Sequence, residues 1–179
     1  DDIAIIKALR AETDAAIRVD ANAGWTVEQA LQLIPALHEL GVDMIEQPLA
    51  KDNWEGMKVL HAQSSIPLFA DESCVSEHDV KKCAGHFHGI NIKLTKCSGL
   101  TPALRMIKEA RALGLQVMMG SMNEHTVGSA AIAHCMPQLD HVDVDGPLLL
   151  AEDIATGLTY DNGNVRVTEA PGLGIQLSI

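Results

Sequence analysis

The sequence predicts an α/β chain that forms the C-terminal six strands of a (β/α)8 barrel. Two observations lead there. Short apolar strand-like runs alternate with helical patterns at a period of 22 to 26 residues. Such alternation means parallel strands joined by helical crossovers. In addition, no Gly-x-Gly-x-x-Gly turn is present, which lowers the competing open dinucleotide-binding sheet. A barrel needs eight strands. The first two are therefore expected upstream, and the chain reads as a fragment of a longer polypeptide.

The elements follow in order. Apolar Ile3, Ile6 and Leu9 suit an amphipathic helix already under way at the start. Ile17–Asp20 reads as a strand. Thr26 caps a helix to about Leu40, with Gly41 as its stop. Met44–Glu46 is a second strand, ended by Pro48, and a helix follows over roughly 54–63. Pro67–Asp71 is a third strand, and Ser76 caps the next helix to about Ala84. Ile90–Lys93 is a fourth strand, followed by a helix from Thr101 to Leu113 that Gly114 closes. Gln116–Gly120 is a fifth strand, a helix spans about 124–135, and His141–Asp145 is the sixth strand. Residues 1–147 thus make the partial barrel. Residues 148–179 depart from the rhythm: Asn162-Gly163 between strand-like runs signals a tight hairpin, followed by an extended tail at the barrel edge.

Composition excludes several classes. The 179 residues carry a net charge of −11, and nucleic acids or anionic membranes need clustered Lys and Arg instead. No apolar run is long enough to span a bilayer, and no basic start precedes an apolar stretch. Cys74, Cys83, Cys97 and Cys135 lack Cys-x-x-Cys spacing. They read as reduced, mostly buried thiols in a cytoplasmic protein.

Chemistry in a barrel sits where the strands finish. Asp20, Glu46 and Asp71 end three successive predicted strands, 26 and 25 residues apart. One such acid alone is more often a cap or a solvated loop residue; three in register converge on one point. Three carboxylates held together repel unless a cation sits among them, and oxygen-only ligands with open positions favour Mg²⁺. The next strand ends in Lys93. Beside a dication and away from water its neutral form is favoured, so it is the expected general base. Lys96, three residues on, is the rival for that role.

At these residues the chain resembles the muconate-lactonizing branch of the enolase superfamily. Asp20-Ala21-Asn22, Glu46-Gln47-Pro48, Asp71-Glu72-Ser73 and Asn91-Ile92-Lys93 carry the resemblance, which covers nearly the whole chain. It implies that Asp20, Glu46 and Asp71 ligate Mg²⁺, which holds a substrate carboxylate while Lys93 takes the α-proton. Asn22, Gln47, Glu72 and Lys96 would stand behind these groups and orient them. It also implies an N-terminal capping domain, towards which the tail returns, and homo-oligomeric assembly. The branch has a second lysine, in Lys-x-Lys at the end of the second barrel strand, and nothing before Asp20 fits it.

Asp143-Val144-Asp145 is the most informative feature for substrate. Strand alternation would put both acids on one side, where they want a cationic group such as an ammonium. The resemblance is then greatest to dipeptide epimerases of the L-Ala-D/L-Glu type, which place an Asp-x-Asp motif similarly. It implies a dipeptide held by its carboxylate on the metal and its amino group on this pair; Ser121 and Met122, at the end of the preceding predicted strand, are expected to line the pocket. Two other expectations stand beside it: a cycloisomerase or o-succinylbenzoate-synthase-like lyase, and a metal-binding fragment that is inert when isolated.

Overall fold

Six strands form one parallel sheet in the order β1-β2-β3-β4-β5-β6, so each neighbour in sequence is a neighbour in space. The computed structural model describes residues 2–178. The strands are β1 Ile17–Asp20, β2 Val42–Glu46, β3 Leu68–Ala70, β4 Gly89–Ile92, β5 Gln116–Met119 and β6 His141–Val142. Helices α1 Asp2–Glu12, α2 Val27–Glu39, α3 Trp54–Gln63, α4 Val80–Cys83, α5 Leu94–Cys97, α6 Leu100–Ala112 and α7 Thr126–Ala133 alternate with them. The result is a half-barrel. Among the described residues, no helix is long and apolar enough to cross a membrane.

Two apolar layers separate the faces of the sheet. The large core lies between strands and helices and includes Ile45, Leu68, Ile90, Ile92, Val117 and Met119. Alternate residues of the same strands point inward, where Met44, Phe69 and Met118 make a small second cluster. Phe69 meets His141 edge-on at 5.4 Å between ring centroids. Gly89 leaves room for that ring, because a Cβ there would run into it.

Helix ends are closed by side chains. Thr26 and Gln29 form a reciprocal capping box at the start of α2. Arg10, near the end of α1, donates to Leu40 O and Gly41 O at the far end of α2. It also donates to Thr13 O and Ala15 O. One guanidinium thereby satisfies carbonyls that two helix termini leave open.

Three expected elements differ. The helix expected from Ser76 is only Val80–Cys83. Ser76 donates through N and Oγ to Asp79 Oδ2 instead, which closes a turn. Lys93 stands one residue past β4, and an unexpected short helix, α5, starts directly after it. The sixth strand stops at Val142 rather than Asp145. Asp145 is already helical in backbone and leads into a 3₁₀ turn over Gly146–Leu149. Gly146 packs against the Glu124 backbone, where a Cβ would sit 2.8 Å from Glu124 O.

Beyond residue 150 the chain forms two small antiparallel sheets. β7 Ala155–Thr156 pairs with β10 Gln176–Leu177, and β8 Leu158–Asp161 pairs with β9 Asn164–Val167 around Asn162-Gly163. The tail rests on α7, and Asp153 accepts from Thr126 N at that helix's start.

Candidate active site

Parallel register brings the acids together. Asp20 pairs with Glu46 across β1 and β2, and Asp71 directly follows β3, the next strand. Inward alternation puts Glu46 above Met44 and Asp71 above Phe69. Glu46 and Asp71 are 6% and 2% exposed, whereas Asp20 is open to solvent. Glu46 and Asp20 share a cavity of about 310 Å³ with Arg18, Met44, Met118 and Asp143.

The loops that carry these acids are laced to each other. Gln47 is fully buried. Its Nε2 donates to Leu49 O and Ser73 Oγ, and its Oε1 accepts from Asp71 N and Ser73 N. One amide therefore fixes the Asp71 loop to the end of β2. Asn22 does the local equivalent for Asp20: its backbone N and Nδ2 donate to the two carboxylate oxygens. Asn22 and Ala23 both take left-handed backbone angles, φ 47° and 59°. That turn lets Ala21 N and Ala23 N donate to Glu46 O and Gln47 O.

Lys93 bridges the acids. Its Nζ lies 2.7 Å from Asp71 Oδ2 and 3.9 Å from Glu46 Oε1. Lys96 takes the other Asp71 oxygen, Oδ1, at 2.5 Å and lies 3.8 Å from Glu72. Lys96 is thus in direct contact with Asp71.

Burial works against the Lys93 ammonium, but the Asp71 hydrogen bond and the charges of Asp71, Glu46 and Asp20 outweigh it. Facing these unneutralised carboxylates, Lys93 is held above the ordinary lysine value. Glu46 is pushed up to about 7, first by burial; Asp20 and Asp71 add to the rise, while the Asn91 hydrogen bond and Lys93 oppose it.

Asn91 stands in the Asn91-Ile92-Lys93 motif, but the sequence assigned it no role. It is 1% exposed and its Nδ2 donates to Glu46 Oε1 at 2.7 Å. The signal was available: residues 91 and 93 share one face of an extended segment.

At the other side of the cavity, Asp143 and Asp145 do not sit on one strand. They still meet: Asp143 is raised by burial and then by the charge and hydrogen bond of Asp145. Ser121 is half-buried and Met122 exposed, and neither lines this cavity. Glu124 precedes α7 and accepts from Met122 N.

The donor set fits a hard divalent cation. It is all oxygen; the Glu46 carboxyl is raised first by burial and then by the charges of Asp20 and Asp71, and a cation would favour its charged form against both. Its present arrangement is different. Among the described residues, no three His, Cys, Asp or Glu side chains are grouped to hold a metal ion, and both Asp71 oxygens are taken by lysines.

A parallel half-barrel with acids ending neighbouring strands and a lysine on the next defines the class: barrel chains with a charged mouth. The enolase C-terminal domain-like family matches residues 1–178, and the chain belongs to it. It is 55% identical over 177 residues to the L-Ala-D/L-amino acid epimerase of Flavobacterium johnsoniae, covering 99% of this chain and 53% of that protein. The L-Ala-D/L-Glu epimerase from Bacillus subtilis, solved as a substrate-liganded complex, matches with a TM-score of 0.92 at 33% identity, covering 97% and 51%. The dipeptide epimerase from Cytophaga hutchinsonii, complexed with Mg and the dipeptide D-Ala-L-Val, matches with a TM-score of 0.93 at 28% identity, covering 99% and 50%. The chain spans about half the length of the curated relatives it matches.

Proposed function

We propose that the full polypeptide carrying this chain epimerises dipeptides at the α-carbon of the C-terminal residue, with Mg²⁺ as cofactor. One observation carries the reading: Lys93 lies between Asp71 and Glu46, and Glu46 lines the same cavity as Asp143. This supports a reading in which Lys93 is the proton acceptor, Asp20, Glu46 and Asp71 seek a cation, and Asp143 with Asp145 seeks an ammonium. The relatives named as epimerases support it.

Asp20, Glu46 and Asp71 would hold the metal. When bound, Mg²⁺ supplies the charge that neutralises these carboxylates and stabilises negative charge building on the substrate carboxylate. A cation there would offset the carboxylate charges that now raise the proton affinity of Lys93, and Lys93 would serve as the general base that takes the substrate's α-proton, giving the enediolate. Lys96 stays on Asp71 Oδ1 and holds that side chain in place. Asp143 and Asp145 bind the substrate's α-ammonium, and a proton donor on the opposite face completes inversion. That donor belongs to the part of the polypeptide outside these residues, so the isolated chain is expected to be inert. Residues 1–147 serve as the barrel portion and 148–179 as an appended tail. Four buried free cysteines are in keeping with a cytoplasmic setting.

A cycloisomerase or synthase acting on an anionic substrate is disfavoured, because Asp143 and Asp145 would repel it. The test is incubation of the full-length protein with L,L-dipeptides in D₂O. Deuterium is expected at the C-terminal α-carbon without elimination, and N-acetylation of the dipeptide should weaken turnover at least tenfold. Elimination or ring formation without exchange, or equal turnover of acetylated and free dipeptides, would count against it.

A further inference from the structure

Asn91 has half of its hydrogen-bonding capacity committed and half withheld, in a place where neither is cheap. Its side chain is 1% exposed. Nδ2 donates to Glu46 Oε1 at 2.7 Å across 45 residues of sequence. Oδ1 is buried and has no hydrogen-bond partner among the described residues. Leaving such an acceptor unpaired costs about 1–3 kcal/mol. An apolar side chain of similar size would avoid that cost, so folding alone does not explain an amide here.

The neighbouring strand makes room for the amide. Asn91 pairs with Met118 across β4 and β5, and Gly120 follows β5. A Cβ at Gly120 would lie 2.8 Å from Asn91 Nδ2 and 3.0 Å from Oδ1. The missing side chain at 120 and the amide at 91 are therefore one arrangement, aimed at Glu46.

We infer that Asn91 is a positioning residue. It holds Glu46 by Oε1 in a fixed rotamer, so that the second oxygen is presented to a divalent cation in the mouth. This rests on the proposed metal-dependent function and deepens it. The physical reason is pre-organisation. A carboxylate pinned at one oxygen by a buried donor loses little freedom when the other oxygen binds a cation, and partners standing behind ligands are typically worth about 10–100-fold in metal affinity.

The experiment uses the full-length protein, free of substrate, with Mn²⁺ as probe and its dissociation constant read by electron paramagnetic resonance. Asn91→Leu should raise that constant at least tenfold while a cooperative melt and native circular dichroism persist. Gly120→Ala touches no carboxylate and keeps the test available if Asn91→Leu does not fold. It should shift the constant in the same direction by crowding the amide off Glu46. A purely structural amide would lower the melting temperature and leave the constant alone. Constants within twofold of the parent in folded variants would overturn the inference and leave the proposed function standing. A parent protein that binds no Mn²⁺ would overturn both.

Discussion

Individual side chains decide how firmly the mouth is held. Gln47 makes four buried hydrogen bonds that join the Asp71 loop to the end of β2. Gln47→Leu would strand two buried N–H donors, so a loss of about 3 kcal/mol is expected in urea unfolding. Glu46 acts in the opposite sense. Folding raises its carboxyl from 4.5 to about 7, so the folded chain keeps a proton that the unfolded chain has released between those values. Stability then falls as pH rises through that window, and the penalty is complete above it. In metal-free full-length protein, Glu46→Gln should therefore be more stable than the parent by about 2–3 kcal/mol at pH 8. At pH 4 the two should be alike. A constant difference across pH would contradict the assignment.

Among the elements, strands were legible and their ends were less so. Period and β-branched runs identified all six strands, because buried parallel strands read as short apolar bursts. Asp20, Glu46 and Asp71 were legible for the same reason: each ends one burst. The failures share a cause. Asp143-Val144-Asp145 was read as alternating strand, but Gly146 pulls the chain onto the Glu124 backbone and the strand stops early. Ser76 looked like a helix cap, but its hydroxyl serves the Asp79 side chain. Gln47 was legible as a residue behind the acids but its partners were not, and Asn91 stood in the Asn91-Ile92-Lys93 motif without a role, because the partners lie 24 to 45 residues away. Contacts that distant leave no local pattern. Gly89 shows how tightly the inner layer is matched. Gly89→Ala would push a methyl into the Phe69 ring, and a loss of about 1–3 kcal/mol is expected in thermal melts.

For the molecule as a whole, the sheet runs from β1 to β6 without closing on itself. Its inward face carries the charged groups and its outward face the main core. Folding energy and chemistry are thereby assigned to opposite sides of the same strands. The lysine that now neutralises the acids is the same group that is proposed to act on the substrate. That exchange of partners is the centre of the account, and it is tested most directly by anomalous diffraction from crystals of the full-length protein soaked in Mn²⁺. The account predicts one ion bound by an oxygen from each of Asp20, Glu46 and Asp71 at about 2.0–2.3 Å, with Lys93 Nζ moved off Asp71 Oδ2. An ion bound elsewhere, or one of the three carboxylates turned away from it with Lys93 still on Asp71, would contradict it.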